Sequence, residues 1–412
     1  MATVAETVAR TFREHHGWVL ARLVRRVHDL DLAEDALGQA LEAALTQWPR
    51  AGIPDEPRAW LVRAARNRAI DELRRRRVAD DKSEQLAWLD SLTRDAANND
   101  DTPIRDDMLR LVFTCCHPAL SPEARVALTL REIAGLETGE IARAFLVPAT
   151  TMAQRLVRAK AKIRKARVPY RVPDESELDG RVPGVLSVVY LIFNEGYLAT
   201  TGPLVRTGLC RVAIGLCRDL CELLPAQREA RGLLSLMLLH DSRREARAAA
   251  DGSLVLLQDQ DRSLWRAEQM DEGRALLRAT LREGLPGPLT LQAAIAAVHA
   301  DAASAQDTDW AQIVGLYDRL VVLTPTAVVA LNRAVAVAMH EGEQRGLAEM
   351  EPLGDALRDY GLYHAARADL LRRLGSAADA RDAYRRALAC PCNEAERSFL
   401  EARLAALDAA EA

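Results

Sequence analysis

Arg63, Asn67, Asp71 and Arg74 recur at steps of four, four and three residues. On a helix that spacing sets them in one row. Guanidinium groups grip phosphate oxygens, and a carboxamide can pair with the edge of a base. The row therefore has the chemistry of a nucleic-acid surface. It runs into four consecutive arginines, Arg74 to Arg77, at the end of the stretch RNRAIDELRRRR. The plain alternative is a solvated charged face in which Asp71 pairs with Arg74 or Arg75. Leu61, Ala65, Ala69 and Leu73, with Ile70, supply an apolar stripe for the other side.

A second basic row lies further on. Arg155, Arg158, Lys162 and Lys165 recur at 3, 4, 3, while Met152, Leu156, Ala159 and Ile163 recur at 4, 3, 4. This predicts a helix that is apolar inside and basic outside. GEIARAF (139–145) reads as a short helix with Ile141, Ala142 and Phe145 inward, and LVPA as a tight turn. Helix, short turn and basic helix form a helix-turn-helix, whose second helix enters the major groove. No acidic residue lies between Lys160 and Arg171, whereas a merely solvated helix usually mixes signs. Gln154 has two readings. Its amide can face a base edge, or it can close a capping box with Thr151.

Other reactive groups do not assemble into a site. Cys115, Cys116 and His117 are adjacent, Cys210, Cys217 and Cys221 are spread along a helix, and Cys390 and Cys392 lack CxxC spacing. Buried helical thiols fit better than a metal centre, so neither a metal nor a cofactor is expected. Asn194, Glu195 and Tyr197 sit in an apolar setting without a second acid, a histidine or a phosphate-binding loop beside them. They read as a polar contact between the C-terminal part and the DNA-binding part, and no enzyme is expected.

The elements that hold these rows are helical. Hydrophobic residues make up 49% of the 412-residue chain and aromatics only 4%; Ala, Leu and Arg abound, which favours helix over sheet. The length predicts two or three domains. Asp31 reads as an N-cap with Glu34 three residues on, and WPRAGIPDEP (48–57) as a loop. Segment 79–103 is acidic and turn-rich, and 168–183 holds three prolines; both read as boundaries. The expected division is 1–78, linker 79–103, 104–168 and 169–412. From about 184 the chain reads as helical hairpins. Ala368, Leu371, Gly375, Ala380, Tyr384 and Ala387 fall where a tetratricopeptide repeat places its packing residues. No apolar run approaches the roughly 20 residues a membrane span needs, and a cytoplasmic protein is the simple expectation. The net charge is −4, so the basic residues are local concentrations, not a global excess.

DLAEDALGQALEAAL (31–45), RAWLVRAARNRAIDELRR (58–75) and EIARAFLVPATTMAQRLVRAKAKIR (140–164) resemble the two domains of extracytoplasmic-function sigma factors, the promoter-recognition subunits of bacterial RNA polymerase. VVYLIFNEGYLAT (188–200) and the repeat-like tail resemble a subgroup with a tetratricopeptide-like extension. The resemblance implies an all-α chain: two small sigma domains, the second with a helix-turn-helix, then a helical-repeat domain. It implies core polymerase and promoter DNA as partners. Asp31, Glu34, Asp35, Gln39 and Leu41 match the helix that docks the polymerase clamp. Arg63, Arg66, Asn67, Asp71, Arg74 and Arg75 match the part that opens and reads the −10 element. Thr151, Gln154, Arg155, Arg158 and Lys162 match the helix that reads the −35 element. The chain departs from the commoner family pattern at Ala153 and Gln154, so the resemblance does not supply the −35 sequence. It also gives the acidic linker a path, through a positively charged channel of the polymerase, for Asp80, Asp81, Glu84, Asp90, Asp95, Asp100 and Asp101. Trp60 could stack an unstacked base, though a core position is the more ordinary reading.

The rival is a one-component activator with a helical-repeat sensor, which would need only the helix-turn-helix. A repeat scaffold would leave the basic rows unexplained. The extension is expected to dock on the second sigma domain through Leu191, Phe193, Asn194, Glu195 and Tyr197 and to regulate the protein, and its concave surface to suit a peptide or protein partner.

Overall fold

The computed structural model describes residues 4–79, 104–144, 147–198, 207–249 and 252–409. Among them are 18 α-helices and no β-strand. None of these helices is long and apolar enough to cross a membrane. The chain divides into two compact units, Met1–Leu191 and Ile192–Ala412.

The first unit begins with α1 (Val4–Val27), α2 (Leu30–Ala51) and α3 (Pro57–Ala79), packed on one another. Their shared core is built from Leu20, Leu23 and Val24, from Leu32, Ala36, Leu37 and Ala40, and from Leu61, Ala65 and Ala69. Small residues on α2 and α3 let the helices approach closely, and each large buried side chain contributes about 1.5–3 kcal/mol. Two local expectations need correcting. The cap of α2 is Asp29, not Asp31: its Oδ1 accepts from the Leu32 N–H at 3.1 Å. Only His28 and Asp29 separate α1 from α2, and His28 makes the reversal in the left-handed region at φ 54°. The loop predicted from Trp48 starts only at Gly52. Pro49 stays inside the last turn, which closes through a Gly52 N–H to Trp48 carbonyl bond of 3.0 Å.

Next come α4 (Ile104–Cys115), α5 (Pro122–Glu132), α6 (Thr138–Ala144), α7 (Ala149–Lys165) and α8 (Glu175–Tyr197). Ser121 caps α5 and Pro122 opens it, the arrangement expected where the first N–H groups lack helical partners. Helix α1 packs on α4 and α5 as well as on its own bundle. The approach is close: a Cβ on Gly17 would lie 2.4 Å from the Ile133 carbonyl oxygen. Gly135, at φ 66°, turns the chain against the side chain of His16. Tyr170 donates its hydroxyl to the Ala21 carbonyl (2.9 Å), and Arg181 donates to the Phe113 carbonyl (2.8 Å). The boundary between the units falls inside α8.

The second unit continues with α9 (Thr207–Leu223), α10 (Arg228–Asp241), α11 (Ala267–Arg282), α12 (Pro288–Asp301), α13 (Trp310–Leu323), α14 (Ala327–Glu341), α15 (Glu343–Met350), α16 (Gly361–Arg373), α17 (Ala377–Ala389) and α18 (Glu394–Ala409). Neighbours in sequence pack as neighbours in space. Ala368, Leu371, Ala380, Tyr384 and Ala387 share one buried cluster, and Gly375 makes the turn between α16 and α17 at φ 78°. Among the described residues the expected run of hairpins is interrupted most extensively at one place, and again by the 3₁₀ turn Glu351–Leu353. Residues 244–266 hold three short 3₁₀ turns and an isolated Ala248–Leu254 bridge.

Candidate nucleic-acid interface

On α3 the apolar stripe is buried: Leu61, Ala65, Ala69 and Ile70 are all at most 8% exposed, with Leu73 half-buried. Arg63, Asn67, Asp71, Arg74 and Arg75 are exposed as a result, and Arg66 is half-buried. Asp71 pairs with Arg74 at 3.7 Å and Glu72 with Arg75 at 3.1 Å, exposed pairs of little energetic weight. Arg66 is different. Burial, then Arg26 and Arg63, work against its charge, and its Nε has no hydrogen-bond partner. Arg26 of α1 thus acts on Arg66 together with Arg63 of α3, a concentration of like charge that a phosphate backbone would relieve. Trp60 is half-buried and meets Trp48 edge to face at 5.5 Å. The side chains of Arg76 and Arg77, and the acidic linker from residue 80 to 103, lie outside the described residues.

On α7 the inner stripe Met152, Leu156, Ala159 and Ile163 is buried. Gln154, Arg158, Lys162 and Lys165 are exposed, and Thr151 and Arg155 half-buried. The capping reading of Gln154 fails: the helix starts at Ala149 behind Pro148, with no side-chain cap. Its amide is left for other partners. Ile141 and Ala142 of α6 are buried as predicted, while Phe145 lies outside the described residues. Val157 was overlooked by the sequence reading. It is 65% exposed, one turn from Gln154 and beside Arg158. An exposed apolar side chain there suits the methyl group of thymine.

The residues matched to polymerase docking divide into two groups. Asp35 and Gln39 are exposed and Leu41 is half-buried. Asp31 and Glu34 are engaged by the other sigma-like domain. Arg131 donates to Glu34 at 3.0 and 2.7 Å. Lys160 binds Glu34 and also reaches Glu132 (3.1 Å) and Asp31 (3.8 Å), and Arg164 pairs with Asp31 at 2.8 Å. Burial pushes the Glu132 carboxyl up to about 7 against the pull of Lys160. For Glu34 burial acts upward too, but Lys160 and Arg131 outweigh it and its pKa is lowered. The sequence held one sign of this. Lys160 stands four residues after Leu156, beside the buried stripe and away from the outer row.

The residues expected to dock the extension are dispersed. Leu191 is 45% exposed and Phe193 is fully buried. Phe193 stacks on Tyr197 at 5.7 Å, and Tyr197 lies against His240 and Arg247 of the second unit. Asn194 and Glu195 are half-buried. Cys115, Cys116, Cys210 and Cys217 are buried thiols. Among the described residues no three His, Cys, Asp or Glu side chains come together to hold a metal ion.

The chain matches sigma-70 region 2 over residues 11–78 and sigma-70 region 4 over residues 110–163. Residues 181–281 match a family of unknown function, DUF6596. An uncharacterized protein of Rhizobium meliloti is 44% identical over 389 residues, 93% of this chain and 92% of that protein. The RNA polymerase sigma-H factor of Pseudomonas aeruginosa is 30% identical over 157 residues, 37% of this chain and 81% of that factor. A probable ECF RNA polymerase sigma factor of Mycobacterium tuberculosis, SigI, is 28% identical over 165 residues, 40% of this chain and 56% of that factor. No solved structure matches the chain. The chain belongs to the RNA polymerase sigma factors of the extracytoplasmic-function type, with a helical C-terminal extension. It is an alternative sigma factor that directs transcription initiation, a transcription regulator and not an enzyme, and its family binds core RNA polymerase and promoter DNA. The match to region 2 sets aside the one-component activator.

Proposed function

We propose that α3 opens and reads the −10 element through Arg63, Arg66, Asn67, Asp71, Arg74 and Arg75, and that α7 reads the −35 element through Thr151, Gln154, Arg155, Arg158 and Lys162. The observation that carries this is the sidedness of both helices: the apolar stripe is buried and the amide and basic rows face out. Asp31, Glu34, Asp35, Gln39 and Leu41 dock core polymerase. In the free protein Asp31 and Glu34 are held by Lys160, Arg131 and Arg164, so docking requires these pairs to part. This is a closed state that core enzyme must open. The protein works in the cytoplasm, where core polymerase and chromosome are.

The extension regulates this activity. Its hairpins, with the small and bulky residues of α16 and α17 buried in register, are consistent with a tetratricopeptide-like array whose concave face takes a peptide or protein. Run-off transcription with core polymerase tests both parts. Full-length protein should initiate at the promoter upstream of its own reading frame, and neither core alone nor the protein alone should do so. A chain ended after Leu191 should change the output. Promoter-specific binding without core would overturn the sigma assignment of these surfaces, and equal output from the two chains would overturn regulation by the extension.

A further inference from the structure

The irregular segment that interrupts the helices of the second unit gathers cations. Arg247, only 6% exposed, places its guanidinium 3.5 Å from the ring centre of Tyr197 and donates to the Tyr197 carbonyl. Arg243 lies over the same ring at 5.8 Å and donates to Nδ1 of His240 at 3.0 Å. The His240 ring itself is 5.2 Å from Tyr197. Arg262 lies 4.5 Å over Trp265 and donates to the carbonyls of His299 (2.9 Å) and Ala302 (2.7 Å).

Among the described residues none of these three arginines forms a close ion pair; Glu396 favours the charge on Arg247, and Asp307 that on Arg262, only from a distance. The nearby acids are otherwise engaged. Asp241 holds Arg244 and Gln269, Glu245 holds Arg266, Asp307 holds Ser304, and Glu396 accepts from the Asn393 N–H. The charges also oppose one another. Burial first, and then Arg243, work against the charge on Arg247 and on Arg262. Burial with Arg243 and Arg262 holds His299 down at about 4, and burial with Arg243 and Arg247 holds His240 well below its ordinary value. Arg247 is buried and Arg243 and Arg262 are half-buried; guanidinium ions that repel one another in such a setting cost stability, and such costs mark sites kept for a ligand.

We propose that Arg243, Arg247 and Arg262 form a binding site for the phosphate group of a small molecule. One guanidinium satisfies the two oxygens of a carboxylate, whereas a phosphate monoester offers three acceptor oxygens and nearly two charges. Three arginines with donors to spare match the second. The site lies wholly within the second unit, and its existence is independent of whether the extension regulates transcription.

Calorimetry and thermal melting of the full-length protein test it, with inorganic phosphate, pyrophosphate and citrate as probes at constant ionic strength. Phosphate and pyrophosphate should bind saturably and raise the melting temperature, and citrate should bind at least tenfold more weakly. Arg243→Gln and Arg262→Gln should each lower pyrophosphate affinity at least tenfold. The unliganded Arg243→Gln protein should melt no lower than the parent, because a repulsive charge is gone. The Lys162→Ala protein should keep pyrophosphate binding. The proposal falls if the parent shows no saturable binding, if citrate binds as tightly as pyrophosphate, or if Lys162→Ala abolishes binding while the two arginine variants keep it.

Discussion

Arg131 and Glu34, 97 positions apart in the chain, are joined by hydrogen bonds of 3.0 and 2.7 Å. They link the helix-turn-helix domain to the helix that resembles the polymerase-docking element. Beside them Lys160 bridges Glu34 and the fully buried Glu132. The contact is tight in the backbone as well, where Gly17 meets the Ile133 carbonyl. The face proposed to dock the polymerase is thus partly occupied by the helix-turn-helix domain of the same chain.

Gly17→Ala places a methyl group 2.4 Å from a backbone oxygen, which neither helix can relieve by rotating a side chain. The two domains should be driven apart at a cost of about 1–3 kcal/mol in the packing between them. Energy transfer between dyes on α2 and α7 should fall, and affinity for core polymerase should rise. A variant with lower energy transfer and unchanged or weaker core binding would show that the closed contact does not compete with docking.

Arg158 and Lys162 are both exposed on α7, yet different roles are predicted for them. Arg158→Ala should weaken binding of the holoenzyme to its own promoter by about 1–3 kcal/mol and relax the preference for one base pair. Lys162→Ala should weaken binding evenly across sequences and flatten its salt dependence by about one charge. Val157→Ser should reduce discrimination at a thymine without changing the salt slope. Binding measured against a panel of −35 variants at two salt concentrations separates the three, and parental behaviour in all of them would mean that another face of α7 enters the groove.

Asn67 stands exposed on α3 between Arg63 and Asp71, with no role in the core of the bundle. Asn67→Ala should leave the fold and core-polymerase affinity near those of the parent, because no buried contact is removed. Permanganate reactivity of unpaired thymines around the −10 element should drop. Full reactivity would remove Asn67 from strand opening.

The rows and stripes were legible because periodicity is local. Leu61, Ala65 and Ala69, and Met152, Leu156, Ala159 and Ile163, announce their burial within a few turns of helix, and the exposed rows follow from them. The engagement of Glu34 was not legible, because its partner Lys160 lies 126 positions away and nothing in either helix names the other. The cap at Asp29 was missed for a similar reason. It depends on how sharply His28 turns the chain, and a left-handed residue other than glycine is too uncommon to be placed from the sequence, even at a histidine. Arg243, Arg247 and Arg262 lie in or beside an irregular stretch of a helical unit, where no period exists to place them on a face.

His16 and Glu132 make the last prediction, because their titrations oppose each other. Burial, and then Arg131, hold His16 down at about 4 from an ordinary 6.5. The folded protein therefore binds fewer protons than the unfolded chain between pH 4 and 6.5, and this contribution to stability is lost as pH falls through that window. Glu132 is raised to about 7 from an ordinary 4.5. There the folded protein binds more protons, so its contribution to stability falls as pH rises from 4.5 to 7. Between pH 4.5 and 6.5 the two nearly cancel. Glu132→Gln removes one side of the balance while Lys160 keeps Glu34 and Asp31 as partners. The variant should then lose about 2–3 kcal/mol relative to the parent on going from pH 6.5 to 4.5, since one proton over two pH units corresponds to roughly that much. Urea unfolding of parent and variant at pH 6.5, 5.5 and 4.5 gives the difference directly, with every other titrating group common to both proteins. A difference that stays constant across the three values would mean that burial does not raise the Glu132 carboxyl in the folded protein, because His16 titrates alike in parent and variant.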